Sequence, residues 1–551
     1  MTEADIDRVL TLDVFRQIDA TQFPENQSLR DIIRNDARIQ RYWRGDIVVK
    51  NGDYGNSVFV IIEGTARVIL DDVRGGTLGR RATRHQRSFF ETLGQTWNNV
   101  KPPEVRDSAT YQGGAELSLR GTSTTDRVFL REPDSFIAEH NTHPLTEGDT
   151  FGEIAALSRS PRIATVFADS ALELVELRWQ GLRDIRRRDR HFRDLIDRLY
   201  RDNSLSRHLA ESPLFAHLAD DVLDLIAAKT LFETYGEFEW WSSYKKVVSR
   251  DSKALLEHEP VVAEQGSYLD GLLMIRSGFA RISRHRDHGE RTIGYATTND
   301  TFGLEEIVRH WRDGAELRFH QSLRAIGYVD ILRVPTALVE EYVLPHAPDH
   351  LLPRPPTPSR TPAWEDRGDE HMLEQSLIDF FVDNRTINGT ATMLINTDRC
   401  IGCDDCVRAC ASTHDNNPRF IRHGLSHGNI QVANACMHCV DPVCLIGCPT
   451  GAIARNFADG RVMIDDRICI GCGTCANSCP YDNIQLVEIR DRNGAFIIDA
   501  ASKQPILKAT KCDLCYGQLG GPACQRACPH DALIRIDMHD QSNLAAWVNR
   551  S

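Results

Sequence analysis

The residues of this 551-residue chain best suited to chemistry are its 16 cysteines, and all of them fall between Cys400 and Cys528. They form four groups: Cys400, Cys403, Cys406, Cys410; Cys436, Cys439, Cys444, Cys448; Cys469, Cys472, Cys475, Cys479; and Cys512, Cys515, Cys524, Cys528. Cysteines two residues apart sit on a tight loop that can wrap one cubane, and a last one, three residues on, reaches the neighbouring cubane. Disulfides would suit a small secreted scaffold, and the N-terminus MTEADIDRVL carries no export signal. Structural zinc uses spaced Cys-x2-Cys pairs and gives no reason for the further cysteines recurring four times. With none left over, the 16 thiols match four 4Fe–4S clusters. Pro449, Pro480 and Pro529 each follow the last cysteine of a group, a position that predicts the opening of a short helix. His438, between two of these cysteines, reads as a neighbour of the ligands or a surface histidine rather than as an iron ligand.

A second constellation lies at Phe151-Gly152-Glu153-Ile154-Ala155-Ala156-Leu157, followed by Pro161-Arg162-Ile163-Ala164-Thr165. A glycine beside a carboxylate at a helix start offers backbone donors to a phosphate oxygen and an acceptor to a ribose hydroxyl. An arginine nine residues after the glutamate can return as a fork to the same phosphate. A partial copy begins at Thr301-Phe302-Gly303-Leu304-Glu305-Glu306, but Arg318 is displaced and Gln321-Ser322 replaces Ala-Thr. A phosphate buried there would lack its counter-charge, so this copy reads as packing.

The elements that must position these residues follow from periodicity. Residues 43–70 and 145–177 alternate short β-branched runs with Gly-rich turns, as in a small antiparallel roll, and about 73–140 reads as an insertion. Residues 182–202 have one apolar helical face, and 212–227 and 259–282 repeat the lead-in and strand rhythm. Seven prolines in 345–362 predict a semi-rigid spacer, followed by a helix over 366–383 that offers Met372, Leu373, Leu377, Ile378, Phe380 and Phe381 for docking. Length predicts three or four domains. The mix of 41% hydrophobic and 26% charged residues is globular, and the net charge of −13 argues against a nucleic-acid coat. No run approaches the roughly 18 apolar residues of a membrane helix, and a cytoplasmic protein is expected.

Two resemblances sharpen these expectations. CIGCDDCVRAC, CMHCVDPVCLIGCPTGAI, CIGCGTCANSCPYDNI and KCDLCYGQLGGPACQRACPHDAL resemble the four motifs of electron-transfer subunits of dimethyl sulfoxide reductase-type molybdoenzymes. The resemblance implies two fused ferredoxin-like halves in which the first and fourth groups exchange ligands, as do the second and third. Carried over, Cys400, Cys403, Cys406 and Cys528 would hold one cluster and Cys512, Cys515, Cys524 and Cys410 another. Cys436, Cys439, Cys444 and Cys479 would hold a third, and Cys469, Cys472, Cys475 and Cys448 the fourth. The segment 151–166 resembles the phosphate-binding cassette of cyclic-nucleotide-binding domains of the catabolite activator and protein kinase A regulatory type. That implies a ribose contact at Glu153, a phosphate contact at Arg162, and a backbone cradle around Gly152, Ile154, Ala155 and Ile163. Ile163, where some relatives have a hydroxyl residue, favours cyclic AMP over cyclic GMP.

The expected fold is multidomain α+β: two β-roll (double-stranded β-helix) cyclic-nucleotide-binding-like domains, then a ferredoxin-like domain with four 4Fe–4S clusters. The expected boundaries are 1–202, 203–344 for a degenerate second roll, 345–365 for the linker and 366–551. The expected function is an electron-transfer subunit regulated by a cyclic nucleotide. Its partners would be a catalytic oxidoreductase subunit of molybdopterin, flavin or hydrogenase type and an electron donor or acceptor, with no nucleic acid, no membrane span and room for a homo-oligomer. The alternative is a redox-sensing signalling protein that binds a cyclic nucleotide and relays no electrons.

Overall fold

Strand Ser57–Glu63, SVFVIIE, is apolar on both faces, so its alternating side chains can be buried on opposite sides. Val58, Val60 and Ile62 pack with Ile6, Val9, Ile32 and Leu182 of the surrounding helices, while Phe59 and Ile61 meet Phe151, Val166 and Leu174. The computed structural model describes residues 1–55, 57–69, 78–80, 104, 106, 128–130, 133–140, 142–153, 156, 162, 164–236, 244, 259–286, 289–353, 373–445, 448–456, 459–499, 502–516, 518 and 520–550.

The N-terminal roll consists of two four-stranded antiparallel sheets. One runs Ala37–Tyr42, Leu172–Arg178, Ser57–Glu63, Thr150–Phe151, and the other Ile47–Val49, Thr165–Ala168, Ala66–Ile69, Thr142–Leu145. Inside the expected insertion, Leu78–Arg80 pairs with Val128–Leu130, and Pro133–Glu139 is helical. The expected helix over 182–202 is instead two, Trp179–Arg188 and Arg190–Tyr200. Asp189 divides them: its backbone is extended and its carboxylate accepts the Phe192 N–H at 2.6 Å, an N-cap that restarts the helix.

A six-stranded sheet of the second roll orders Leu231–Gly236, Ser322–Pro335, Gly271–Arg286 and Gly289–Ala296, with two short strands beside it. Its core contains an ion pair, Arg276 Nη2 to Asp330 Oδ2 at 3.0 Å, with both side chains at most 2% exposed. Burial alone would raise the Asp330 carboxyl, but Arg276, Arg186 and hydrogen bonds from Thr234 and Tyr328 hold it below the usual 3.8. A carboxyl lowered on folding stabilises fully above its unfolded value and loses that contribution as pH falls through the folded one. Asp330→Asn, which strands a buried guanidinium, is therefore expected to cost about 3 kcal/mol at neutral pH. Urea unfolding of both proteins reads this, and the gap is expected to narrow as the pH drops below 3.8.

The beginning of the proline-rich stretch packs on this sheet: Leu352 is buried, and Arg312 donates to Pro353 O. Residues 354–372 lie outside the described residues. Helix Gln375–Asp383 follows, and its Leu377 and Phe381 share a core with Phe279 and Ile326 of the six-stranded sheet and with Leu394, Ile536 and Trp547 of the cysteine-rich block. Arg281, 1% exposed, pairs with Glu259 at 2.8 Å and with Asp383 at 2.9 Å across the same boundary.

The cysteine block has a sheet ordered Phe420–His427, Ile430–Ala435, Thr392–Asn396, Leu533–Ile536. Its first and last strands in sequence, Thr392–Asn396 and Leu533–Ile536, are thus adjacent and antiparallel. The chain enters the first cysteine group from one and joins the fourth group to the other, so pairing of these strands brings the groups together. A hairpin, Ile453–Arg455 with Val462–Ile464, folds the second group's end towards the third group.

Candidate functional site

The groups meet as this topology requires. A cleft is lined by Cys400, Cys403 and Cys406 of the first group and Cys528 of the fourth. Burial pushes the Cys406 thiol up to about 11, and the sulfurs of Cys528 and Cys400 add to the rise. Cys410, on the same helix, is pushed well up by burial, with Cys512, Cys524 and Cys515 adding to it. Cys439 rises by burial and by Cys436, Cys479 and Cys444. Cys475 rises to about 11 by burial and by Cys448, Cys469 and Cys472. Thiols in such cages resist ionisation until a positive metal compensates them.

A tetrahedral zinc site with Zn–S near 2.3 Å holds its sulfurs about 3.8 Å apart. Among the described residues no three cysteine sulfurs lie within 4.8 Å of one another; the one trio of possible ligands that compact is His414, Asp513 and Cys515. His414 there bonds Asp513 at 2.7 Å and the Cys410 carbonyl at 2.9 Å.

Backbone donors complete the fit. Arg419 N–H donates to Cys410 Sγ at 3.2 Å, Leu514 N–H to Cys512 Sγ at 3.4 Å, Ala523 N–H to Cys515 Sγ at 3.3 Å and Ala532 N–H to Cys528 Sγ at 3.4 Å. Leu514 and Cys515 take left-handed φ values of 56° and 54°, unusual for side-chain-bearing residues. His438 is 1% exposed, so it is no surface residue. Its Nδ1 accepts the Val462 N–H, and its Nε2 is buried with no protein partner among the described residues, a donor available to a cluster sulfide. Burial drives its pKa well down, leaving it neutral.

The proline expectation is corrected. Short helices precede the last cysteines instead of following them: Thr474–Ser478 ends at Cys479, extended at φ −67°, ψ 116°, as the residue before Pro480 must be. The first group has Ala411 in place of proline, and its helix, Asp405–Thr413, runs on through Cys410.

Two residues of the expected insertion reach this block. Glu104 and Arg106 are buried; Arg490 N–H donates to Glu104 O at 2.9 Å, and Arg106 N–H to Arg490 O. Arg106 pairs with Asp466 and Glu104 accepts from Asn417, so the segment ties the third group's flank to the first's. No cysteine spacing announces this contact. Arg535, the one charged residue of strand LIRI, was equally silent in the motifs, although a charge in an apolar strand is itself a signal.

In the N-terminal roll, Arg162 is 6% exposed and donates to Gly152 O at 2.7 Å and Ser57 O at 2.8 Å. Burial lowers it to about 10, against the opposing fields of Glu176, Glu153 and Asp53, and it forms no ion pair among the described residues. Gly152 has φ +84°, and a Cβ there would lie 2.5 Å from Arg162 Nη1. Glu153, 3% exposed, adjoins it. Gly152, Glu153 and Arg162 thus come together, whereas Ile154, Ala155 and Ile163 lie outside the described residues. In the second roll Gly303 opens a ten-residue helix, Leu304–Asp313, and Arg318 is an exposed residue paired with Glu316.

A family model described as a 4Fe-4S dicluster domain matches residues 429–538. Electron transport protein HydN of Escherichia coli (strain K12) is 36% identical over 172 residues, 29% of this chain and 94% of that protein. The B subunit of the anaerobic dimethyl sulfoxide reductase of Haemophilus influenzae is 35% identical over 25% of this chain and 69% of that protein. Formate hydrogenlyase subunit 2 of E. coli K12 is 32% identical over 26% of this chain and 79% of that one. The solved regulatory domain of Toxoplasma gondii PKA with cAMP is 13% identical, with a TM-score of 0.21, over 62% of this chain and 93% of that one. The cysteine block is a 4Fe–4S domain. Through it the chain belongs to the iron–sulfur electron-transport family that includes HydN. Among the described residues, no helix is long and apolar enough to cross a membrane.

Proposed function

We propose that this chain is the electron-transfer subunit of an oxidoreductase complex, relaying single electrons through four 4Fe–4S clusters under the control of a cyclic nucleotide. The observation that carries the reading is the meeting of thiols from alternate groups, Cys528 with the first group and Cys410 with the fourth. The four quartets are those implied by the resemblance. Each would bind one cluster through thiolates, and the cluster supplies reversible one-electron chemistry. The domain boundaries at 1–202, 203–344, 345–365 and 366–551 belong to the same reading, as does a cytoplasmic location. The partners are a catalytic subunit of molybdopterin, flavin or hydrogenase type and a donor or acceptor.

Arg162 is the proposed phosphate partner, Glu153 the ribose partner, and cyclic AMP the favoured ligand. Coupling would run through direct contact: Gln180, on the helix Trp179–Arg188, donates to Leu445 O at 3.0 Å, next to Cys444. Calorimetric titration of the anaerobic full chain with cyclic AMP and cyclic GMP tests the regulatory half. Saturable binding, tighter for cyclic AMP, is expected; silence from both nucleotides removes that half and leaves the relay standing.

A further inference from the structure

One buried cation joins cages that the cysteine spacing keeps apart. Arg535, on the last strand of the block's sheet, donates through Nη2 to Cys512 Sγ at 3.0 Å. Through Nη1 it donates to the backbone oxygens of Cys436 at 3.1 Å and Ala391 at 2.9 Å. It also hydrogen-bonds the Cys524 side chain, opposing the rise that burial imposes on that thiol. The sulfurs facing it are Cys512, Cys524, Cys436 and Cys410, which come from both pairs of groups. Lys511 lies alongside, 6% exposed, with Nζ on Cys512 O at 3.0 Å and on Val462 O.

Ligand exchange links the first group to the fourth and the second to the third, but links neither pair to the other. Arg535 spans that gap. We infer that Arg535 is the positioning residue for electron passage between the two halves of the relay, raising the reduction potential of the cluster at Cys512, Cys515, Cys524 and Cys410 and tying it to the Cys436 cage. Reduction adds negative charge to a cluster, and a fixed cation hydrogen-bonded to a ligand sulfur favours the reduced state. In a buried setting that field is weakly screened. The transfer is a bare one-electron exchange: one cluster is oxidised, the other reduced, and no bond or proton moves. Arginine suits this position because it stays charged and its planar fork can serve a sulfur and a carbonyl together.

The inference rests on the four-cage reading, and the test separates the two. Anaerobic full-length protein is assayed for iron and titrated potentiometrically under electron paramagnetic resonance, as wild type, Arg535→Gln and Arg535→Lys. With iron unchanged, Arg535→Gln is expected to shift one cluster's reduction equilibrium at least tenfold towards the oxidised form, 59 mV for one electron. Arg535→Lys, which keeps the charge, is expected to restore most of it. Full iron with every potential unmoved in Arg535→Gln reduces Arg535 to a clamp and overturns the inference; wild-type iron far below four clusters' worth sinks the four-cage reading first. If Arg535→Gln loses iron, wild-type protein carrying guanidino-15N arginine decides. A nitrogen hyperfine coupling in the reduced protein that persists in Arg422→Lys sustains the inference, and its absence overturns it; Arg422 is the control because its Nη1 lies 3.9 Å from Cys400 Sγ.

Discussion

Replacing Cys410 with alanine is expected to remove the cluster of the fourth cysteine group and to leave that of its own group in place. Cys406 and Cys410 lie one turn apart on the helix Asp405–Thr413, yet their sulfurs serve different neighbourhoods. Cys406 faces Cys400 and Cys528, whereas Cys410 faces Cys512, Cys515 and Cys524 and takes the Arg419 N–H. Losing one of four ligands in a buried cage leaves the core incompletely held, so iron is expected to fall by about four atoms per chain. The identity of the lost cluster is the sharper readout. The reduced-state resonance spectrum of Cys410→Ala is expected to match that of Cys512→Ala and to differ from that of Cys406→Ala. A spectrum matching Cys406→Ala would mean that each group keeps its own cluster.

Replacing Arg162 with alanine is expected to lower cyclic-nucleotide affinity by about 3 kcal/mol, roughly a hundred-fold, because a buried phosphate would lose its charge-assisted fork. The guanidinium already rests on two carbonyls, Gly152 O and Ser57 O, and burial weakens its hold on its proton, so an incoming anion relieves an under-compensated cation. Arg162→Lys keeps the charge and loses the fork, and an intermediate affinity is expected. Gly152→Ala forces a Cβ against Arg162 at a left-handed φ, and binding is expected to suffer there although no charge is removed. Calorimetry on the four proteins reads the series. Equal affinity in wild type and Arg162→Ala would place the nucleotide elsewhere.

The cysteine cadence was legible because metal ligation constrains residue type and spacing together, and little else in a sequence repeats that tightly. The rolls were legible as short apolar, β-branched runs set between Gly-rich turns, SVFVIIE among them. Helix ends were harder to read. Proline after a cysteine suggests a helix start as readily as a stop, and only the extended backbone of Cys479 shows that here it stops one. The break at Asp189 was hidden because an aspartate inside an amphipathic pattern looks like a solvent-facing residue until its side chain caps the next turn. Long-range contacts carried no local signal. Glu104 and Arg106 sit in a polar stretch, and nothing in their neighbours announces a partner at Arg490 or Asp466. Arg535 owes its place to strand pairing between residues 392–396 and 533–536, a contact that sequence spacing does not encode.

The central claim, that all sixteen thiols hold four inorganic cores, is tested most directly by iron and acid-labile sulfide analysis of anaerobically purified full-length protein. About sixteen of each per chain are expected. Colourless protein, or about eight of each, would contradict it.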